Sequence, residues 1–362
     1  MVFDASVVFA NEQFDDKFYF LKQELFGVLV GVIAGFFFLN FDYHKLKKLV
    51  VPMMITTLLL LIAVFIPGLG VEANGSHRWI NIGFTVLQPT EIAKLTFTIY
   101  LAAWLSRSRA ARNLKNIQLA FSEHIRTELF PFLVVLGGIC ALIIVEPDLG
   151  STMIVGITSF AVYFISGTDA IHTIGSMFIM VTMGMLAVFA AVLSPYRLER
   201  VKTFIPLLLR GEVEDPLGAG YQIRQILIAV GSGGVWGLGF GESRQKFQYL
   251  VETTAVTDSI FAVIAEELGL VGSVIVLAFF ALFLYRGFLI AKSAPDKFGV
   301  LLASGLTFWL GIQALLNIAA NVAIIPLTGI PLPFISYGNS SMVVTLAAVG
   351  ILLNISRQTK ID

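Results

Sequence analysis

Long apolar runs separated by short polar connections set the pattern of this chain. A helix that crosses a bilayer needs roughly 20 mainly apolar residues, because each residue advances it by about 1.5 Å. Runs of that kind are read near residues 25–41, 49–66, 87–106, 129–146, 150–167, 173–193, 260–285, 299–320 and 340–355. The expected fold class is an all-α polytopic membrane protein of about nine transmembrane helices. One long hydrophilic stretch, 194–259, interrupts the pattern. It holds apolar runs at 226–230 and 235–240 and the glycine-rich segment GSGGVWGLGFG at 231–241, so helices lying on or dipping into the membrane surface are expected there. The stretch 321–340, NVAIIPLTGIPLPFISYGNS, is apolar, uncharged and proline-bearing. Irregular backbone at membrane depth survives only under a cover of protein or beside a water-filled cavity, so a re-entrant or tightly packed segment is expected. No internal repeat is visible, which counts against an inverted-repeat transporter.

Composition agrees with this pattern. Of 362 residues, 57% are hydrophobic and 13% charged, against about 25% charged in soluble chains. A soluble core of this length could not bury so much apolar surface, and lipid is the natural place for it. The net charge is zero, which gives no electrostatic signature for nucleic acid. Cys140 is the only cysteine, so a disulfide within the chain is excluded. Residues 1–24 show no basic segment ahead of an apolar one, and no signal peptide is read. A helical bundle in lipid needs no division into soluble domains. Residues 1–362 are expected to form one membrane domain, with 194–259 as a large extracytoplasmic loop within it.

Basic residues orient the spans. One set of connections and the C-terminal tail hold thirteen Lys and Arg, among them Lys45, Lys47, Lys48, Arg107 and Arg286. The short connections on the other side hold four, Lys17, Lys22, Arg78 and Lys94. The first set is expected in the cytoplasm, with the N-terminus outside and the C-terminus inside.

Ionisable residues at span edges are costly in lipid and mark candidate sites. Glu91 and Lys94 are three apart on one helix face, with Pro89 suited to that helix's first turn and Arg78 upstream. They read either as a structural ion pair or as part of a site. Glu146 and Asp148 lie in a turn between two spans, where Asp148 is suited to cap the next helix. Arg197, Arg200, Lys202, Arg224, Arg244 and Lys246 supply cations in the long loop. They suit phosphate, and anionic lipid headgroups equally. Asp258 falls where the loop enters an apolar helix. Partial desolvation raises a carboxylate's pKa and suits it to general-base work, whereas a helix cap is the plainer role. Glu266 and Glu267, two turns deeper, read as a packed polar network. No nucleotide-binding loop, zinc spacing or serine nucleophile elbow is present.

Together, NGSHRWINIGFTVLQPTEIAKL (74–95), EPDLGS (146–151), GYQIRQILIAVGSGGVWGLGFGESRQKFQYL (220–250), TDSIFAVIAEELGLVG (257–272) and PLTGIPLPFISYGNSS (326–341) resemble the SEDS family (shape, elongation, division and sporulation), the FtsW/RodA/SpoVE proteins. The resemblance runs along nearly the whole chain and is nearest the FtsW or sporulation branch. It implies a peptidoglycan glycosyltransferase of cell division and cell wall synthesis that polymerises lipid II into β-1,4-linked strands by an inverting single displacement. It places the family's essential aspartate on Asp258 as general base. It assigns Arg78, Lys94, Arg197, Arg200, Arg244 and Lys246 to the pyrophosphate, with Glu91 orienting Lys94 and Asp148 in the substrate-binding set. A divalent cation, Mg or Mn, would share the leaving-group charge. The implied partners are a class B penicillin-binding protein, which is a transpeptidase, and other divisome or elongasome membrane proteins. The implied location is the bacterial plasma membrane.

Three departures stand in the sequence. The family's Leu-Pro-Glu-x-His-Thr-Asp is here the run Leu250 to Asp258, without the proline and histidine and with two extra residues. Asn339 stands where the family has glycine after Tyr337 and Gly338. Family members usually have ten spans, and residues 1–23 look like the end of the first span and the loop after it, so either a tenth helix belongs before Met1 or this member has nine. Two other readings compete: a lipid II flippase using the same residues, and a scaffold that only activates a partner synthase. Polymer formation that depends on Asp258 separates the enzyme from both.

Overall fold

The apolar runs become helices, and their ends fall where charge, proline or glycine appears. The structure, a computed structural model, describes residues 1–73, 76–83, 85–107, 125–167, 174–175, 177–179, 181–182, 184–185, 195–218, 220–244 and 255–359. The described helices are α1 (Val2–Phe14), α2 (Tyr19–Asn40), α3 (Tyr43–Ala63), α4 (Pro89–Leu105), α5 (Phe130–Val145), α6 (Leu149–Ser166), α7 (Pro195–Arg210), α8 (Tyr221–Ser232), α9 (Ile260–Ser293), α10 (Lys297–Asn321) and α11 (Asn339–Gln358). Among the described residues, seven helices are long and apolar enough to cross a membrane. Eight of the nine expected spans appear as helices, α4 being a 17-residue one. The ninth, near 173–193, falls mostly outside the described residues. Their outward faces are apolar: Leu29, Phe36, Leu59 and Phe279 are all more than half exposed, as lipid-facing residues are.

One feature of the architecture is absent from the expectation above. Three short antiparallel strands, β1 (Gly70–Ala73), β2 (Ser76–Asn81) and β3 (Val86–Leu87), form a meander ahead of α4. Gly70 pairs with Ile80 and Ala73 with Ser76, with a register shift between Val71 and Glu72.

The chain divides into two compact units. The first comprises residues 1–33, 190–285 and 310–345. Its core joins Ala5 of α1, Ile226 and Ala229 of α8, Ala255 and Val256, and Ala262 and Val263 of α9. A second cluster joins Ile260, Phe261, Phe280, Ala314, Ile318 and Leu332. The long loop holds two helices, α7 and α8; of its two apolar runs, 226–230 lies in α8, whereas 235–240 is non-helical. The expected tight packing of 321–340 is present too: the non-helical stretch after α10 buries Ile330, Leu332 and Ser336.

Helix α9 is kinked at Gly269 (φ 65°, ψ −160°). A kink strands backbone groups that must find other partners in a dry interior. The glycine-rich loop supplies them. Leu238 and Gly239 N–H donate to Glu266 O and Glu267 O, while Gly234 O and Val235 O accept from Leu270 and Val271. Gly237 (φ 81°) leaves no room for a side chain, since a Cβ there would strike the Glu267 backbone. Glu266 and Glu267 are buried in the network expected of them: Ser232, Ser243 and the Arg244 N–H donate to Glu266, and the Ser243 N–H donates to Glu267.

The second unit comprises residues 34–189, 286–309 and 346–362. In it α4 packs against α3 and α6 around Phe97, Leu101, Ile154 and Tyr163. Tyr43 at the start of α3 donates its N–H to Asn354 Oδ1 and its hydroxyl to Asp296. Gly350 approaches the Gly35 backbone too closely to admit a Cβ.

Gly237→Ala is expected to lower the thermal midpoint in detergent, because the site offers neither space nor a relaxed backbone. Gly138→Ala, in a helix position with nothing within 4 Å, is expected to be neutral or stabilising. Thermal unfolding of the two variants side by side checks the clamp.

Candidate active site

Asp258 stands immediately before α9, on a short stretch held in place by its backbone. Asn317 Nδ2 and Asn321 Nδ2 both donate to Asp258 O, each at 2.8 Å. Asn317 also donates to Ile330 O at 2.7 Å, and Gln313 donates to Pro331 O at 3.1 Å. Residues 313, 317 and 321 are four apart, so they stack on one face of α10. Ser336 Oγ donates to Thr257 O and accepts from Leu332 N–H, and Tyr337 N–H donates to Val256 O. The carboxyl group accepts from Thr257 Oγ1 at 3.0 Å. Gly329, with φ 68°, has its Cβ direction 4.0 Å from Asp258 Oδ2, so the loop lies within van der Waals reach of the carboxylate. Arg200 of α7 donates from Nη1 to Leu327 O at 2.8 Å. Burial pushes the Asp258 pKa up, opposed by the Thr257 hydrogen bond and the Arg200 charge.

The second unit gathers a different set. Pro89 is in the first turn of α4, as its position in the sequence suggested. Lys94 Nζ donates to Glu91 Oε1 at 2.8 Å, with both side chains almost fully buried. The ammonium also lies 5.7 Å from the Trp309 ring centre, at an attractive cation–π distance. Asp148 caps α6 by accepting from Ser151 N–H at 3.0 Å, and it accepts from Thr90 and Gln88 at the start of α4. Arg78 of β2 donates to the backbone oxygens of Glu146 and Pro147. Glu146 is fully buried, and neither carboxyl oxygen has a hydrogen-bond partner. Burial first, and the Asp148 charge second, push its pKa up to about 8, against the pull of Arg78.

The structure thus brings Arg200 to Asp258 in the first unit, and Arg78, Glu91, Lys94 and Asp148 into a separate network within the second. Arg244 is exposed and bonds through its N–H to Glu266. Lys246 and the altered run up to Thr254 lie outside the described residues, as does the Arg197 side chain. Among the described residues no group of three or more His, Cys, Asp or Glu is placed to hold a metal ion. These residues alone make no cage for Mg or Mn.

The family model of the FtsW/RodA/SpoVE cell cycle proteins matches residues 1–361. The chain belongs to this family. It is 40% identical to stage V sporulation protein E of Bacillus subtilis over 362 residues, covering 99% of this chain and 93% of the relative. It is 38% identical to a probable peptidoglycan glycosyltransferase FtsW of Geobacter metallireducens, covering 99% and 91%. Among solved structures it resembles Thermus thermophilus rod shape determining protein RodA with a TM-score of 0.65, at 27% identity, covering 100% and 95%. It also resembles a chain from a study titled "Structural coordination of polymerization and crosslinking by a peptidoglycan synthase complex", with a TM-score of 0.73 and 29% identity, covering 100% and 96%. Like its FtsW/RodA/SpoVE relatives, the chain is a multi-pass membrane protein.

Sequence reasoning missed the carboxamides Gln313, Asn317 and Asn321. The available signal was their spacing of four in an otherwise apolar helix, since polar side chains in a span face protein rather than lipid.

Glu146 gives a pH test of the second unit. Its folded-state pKa of about 8 exceeds the ordinary 4.5, so the folded protein binds the extra proton between these values and loses stability as pH rises through that window. Glu146→Gln is expected to flatten this decline and to raise the midpoint at pH 8 by about 2 °C or more. Thermal scans of both proteins in detergent from pH 5 to 8.5 check it. A parallel decline in the two proteins would show that Glu146 is charged throughout.

Proposed function

We propose that this protein is a peptidoglycan glycosyltransferase that polymerises lipid II, with Asp258 as general base. The observation that carries the reading is a desolvated aspartate, pinned through its backbone beside Arg200, in a chain of this family. In the reaction the acceptor's GlcNAc 4-hydroxyl oxygen attacks the donor's anomeric carbon. The bond from that carbon to the pyrophosphate oxygen breaks, and undecaprenyl pyrophosphate departs with the electron pair. The hydroxyl proton passes to Asp258. The anomeric configuration inverts from α to β because a single displacement attacks from the opposite face.

The physical demands match the described residues of the first unit. A base must be ionised at working pH yet keep affinity for a proton. Burial raises the Asp258 pKa and Arg200 limits the rise. Positive charge must meet the departing pyrophosphate. Arg200 supplies it in our reading, with Arg197, Arg244 and Lys246 of the same unit as further candidates. Glu91 holds the Lys94 ammonium and Asp148 holds the start of α4, so these two serve as supports. Any Mg or Mn ion would come with the diphosphate oxygens, not in a cage made by the described residues. The catalytic face is read as extracytoplasmic, with the C-terminus in the cytoplasm and a class B penicillin-binding protein as the partner that crosslinks the strand.

Asp258→Ala is expected to reduce polymerisation of lipid II by the purified protein with its transpeptidase partner by about 10²–10⁴-fold. Arg200→Ala is expected to cost about 10²–10³-fold. Gel analysis of glycan strands from labelled lipid II measures both. Undiminished polymer from Asp258→Ala removes the base. Translocation of lipid II across vesicles without polymerisation, unaffected by either variant, would favour the flippase.

A further inference from the structure

The two asparagines that end α10 do more than fill space. Asn317 is 1% exposed and Asn321 0%, and both direct an N–H at the same oxygen, Asp258 O. A carbonyl oxygen has two lone pairs, and the pair of carboxamides occupies both. With that carbonyl held from two sides, the peptide plane after Asp258 cannot rotate, and the side chain inherits its direction. Asn317 uses a second N–H on Ile330 O, which ties the aspartate to the loop carrying Gly329 and Leu327. Leu327 O is in turn the acceptor that holds Arg200. Asn321 also donates to the backbone oxygen of Asn317 at 2.9 Å, which fixes its carboxamide against the backbone of α10.

We propose that Asn317 and Asn321 are positioning residues for the glycosyl transfer, setting the direction of the Asp258 carboxylate and its separation from Arg200 through one shared carbonyl. This rests on the reading of Asp258 as the base. Neither asparagine is offered as a group that touches substrate. Gln313 makes the natural comparison. It is also fully buried, and it anchors the loop through Pro331 O, whereas the two asparagines reach Asp258 O.

The test uses the full-length protein with its partner, comparing Asn317→Ala, Asn321→Ala, Gln313→Ala and Asp258→Ala in lipid II polymerisation across pH. Each variant is first checked for a monodisperse profile and a thermal midpoint. The asparagine variants are expected to lower kcat by about 10- to 100-fold, the scale of a 1 Å misplacement. KM for lipid II should stay within about twofold. Their acidic limb is expected to move to lower pH, because a loosened loop admits water to a carboxyl group whose affinity for its proton comes from burial. Gln313→Ala is expected to lower the thermal midpoint without moving that limb. Asn321→Ala leaves the Asn317 bond intact, so it retains a folded site should Asn317→Ala fail to fold. An inactive Asp258→Ala beside asparagine variants with wild-type kcat and pH limb overturns the positioning role alone. A limb that moves equally in Gln313→Ala overturns it too, by showing general loosening. An active Asp258→Ala overturns the base reading itself.

Discussion

The structure around Asp258 depends on how buried, non-helical backbone is satisfied. In a dry interior every N–H and C=O needs a partner, and leaving one unpaired costs about 1–3 kcal/mol. The segment between α10 and α11 has no ladder of its own over most of its length. It survives because Gln313, Asn317 and Asn321 rise along one face of α10 and donate to the carbonyls of Pro331, Ile330 and Asp258. Ser336 and Tyr337 complete the junction from the other end. The requirement that lets a broken chain exist among apolar helices therefore also places the aspartate. Folding and the geometry of the proposed base share the same hydrogen bonds.

The same rule explains the kink in α9. Gly269 frees four backbone groups, and the glycine-rich loop pairs with all of them. Glycine is needed on both sides of that pairing, since Gly237 and Gly269 face one another too closely for side chains. The second unit solves a different problem, the burial of charge, in three ways within a short stretch. Lys94 and Glu91 neutralise one another. Asp148 is spent on N–H and hydroxyl donors at two helix starts. Glu146 has no such partner and keeps its proton instead. Breaking a buried pair leaves an uncompensated charge, so the first arrangement resists change more than the last.

Much of this was legible from residue pattern. Apolar run lengths located the spans because lipid imposes one length on them all, and α6 appears at 149–166 despite its Gly and Ser content. Charges ended the spans less well: α9 continues to Ser293, past Arg286, since a long basic side chain can leave a helix without breaking it. The meander β1–β3 was missed because strands of four, six and two residues carry little periodicity. The Asn74-Gly75 pair, a strong hairpin signal, stood in plain view between two of them. Asp258 was found by its charge, and its role came from the family resemblance. The carboxamides were not found, since neutral Asn and Gln leave no trace in a search for charge and their partners are backbone groups distant in sequence.

The shared carbonyl also bears on the electrostatics of the site. Arg200 acts on Asp258 through its charge. Its Nη1 is held by Leu327 O, on the loop that Asn317 fastens to the aspartate. A direct bidentate pair would depress the carboxylate's pKa strongly and leave it a poor base. A cation anchored on a backbone oxygen still lowers the Asp258 pKa, and burial outweighs it. In the proposed reaction the carboxylate would then keep its affinity for a hydroxyl proton while positive charge meets the phosphate. That balance is set by where the loop carries Leu327, and so by the hydrogen bonds at Asn317. On the proposed reading, an enzyme built this way can vary its surface cations without disturbing Asp258, provided the buried carboxamides stay in place.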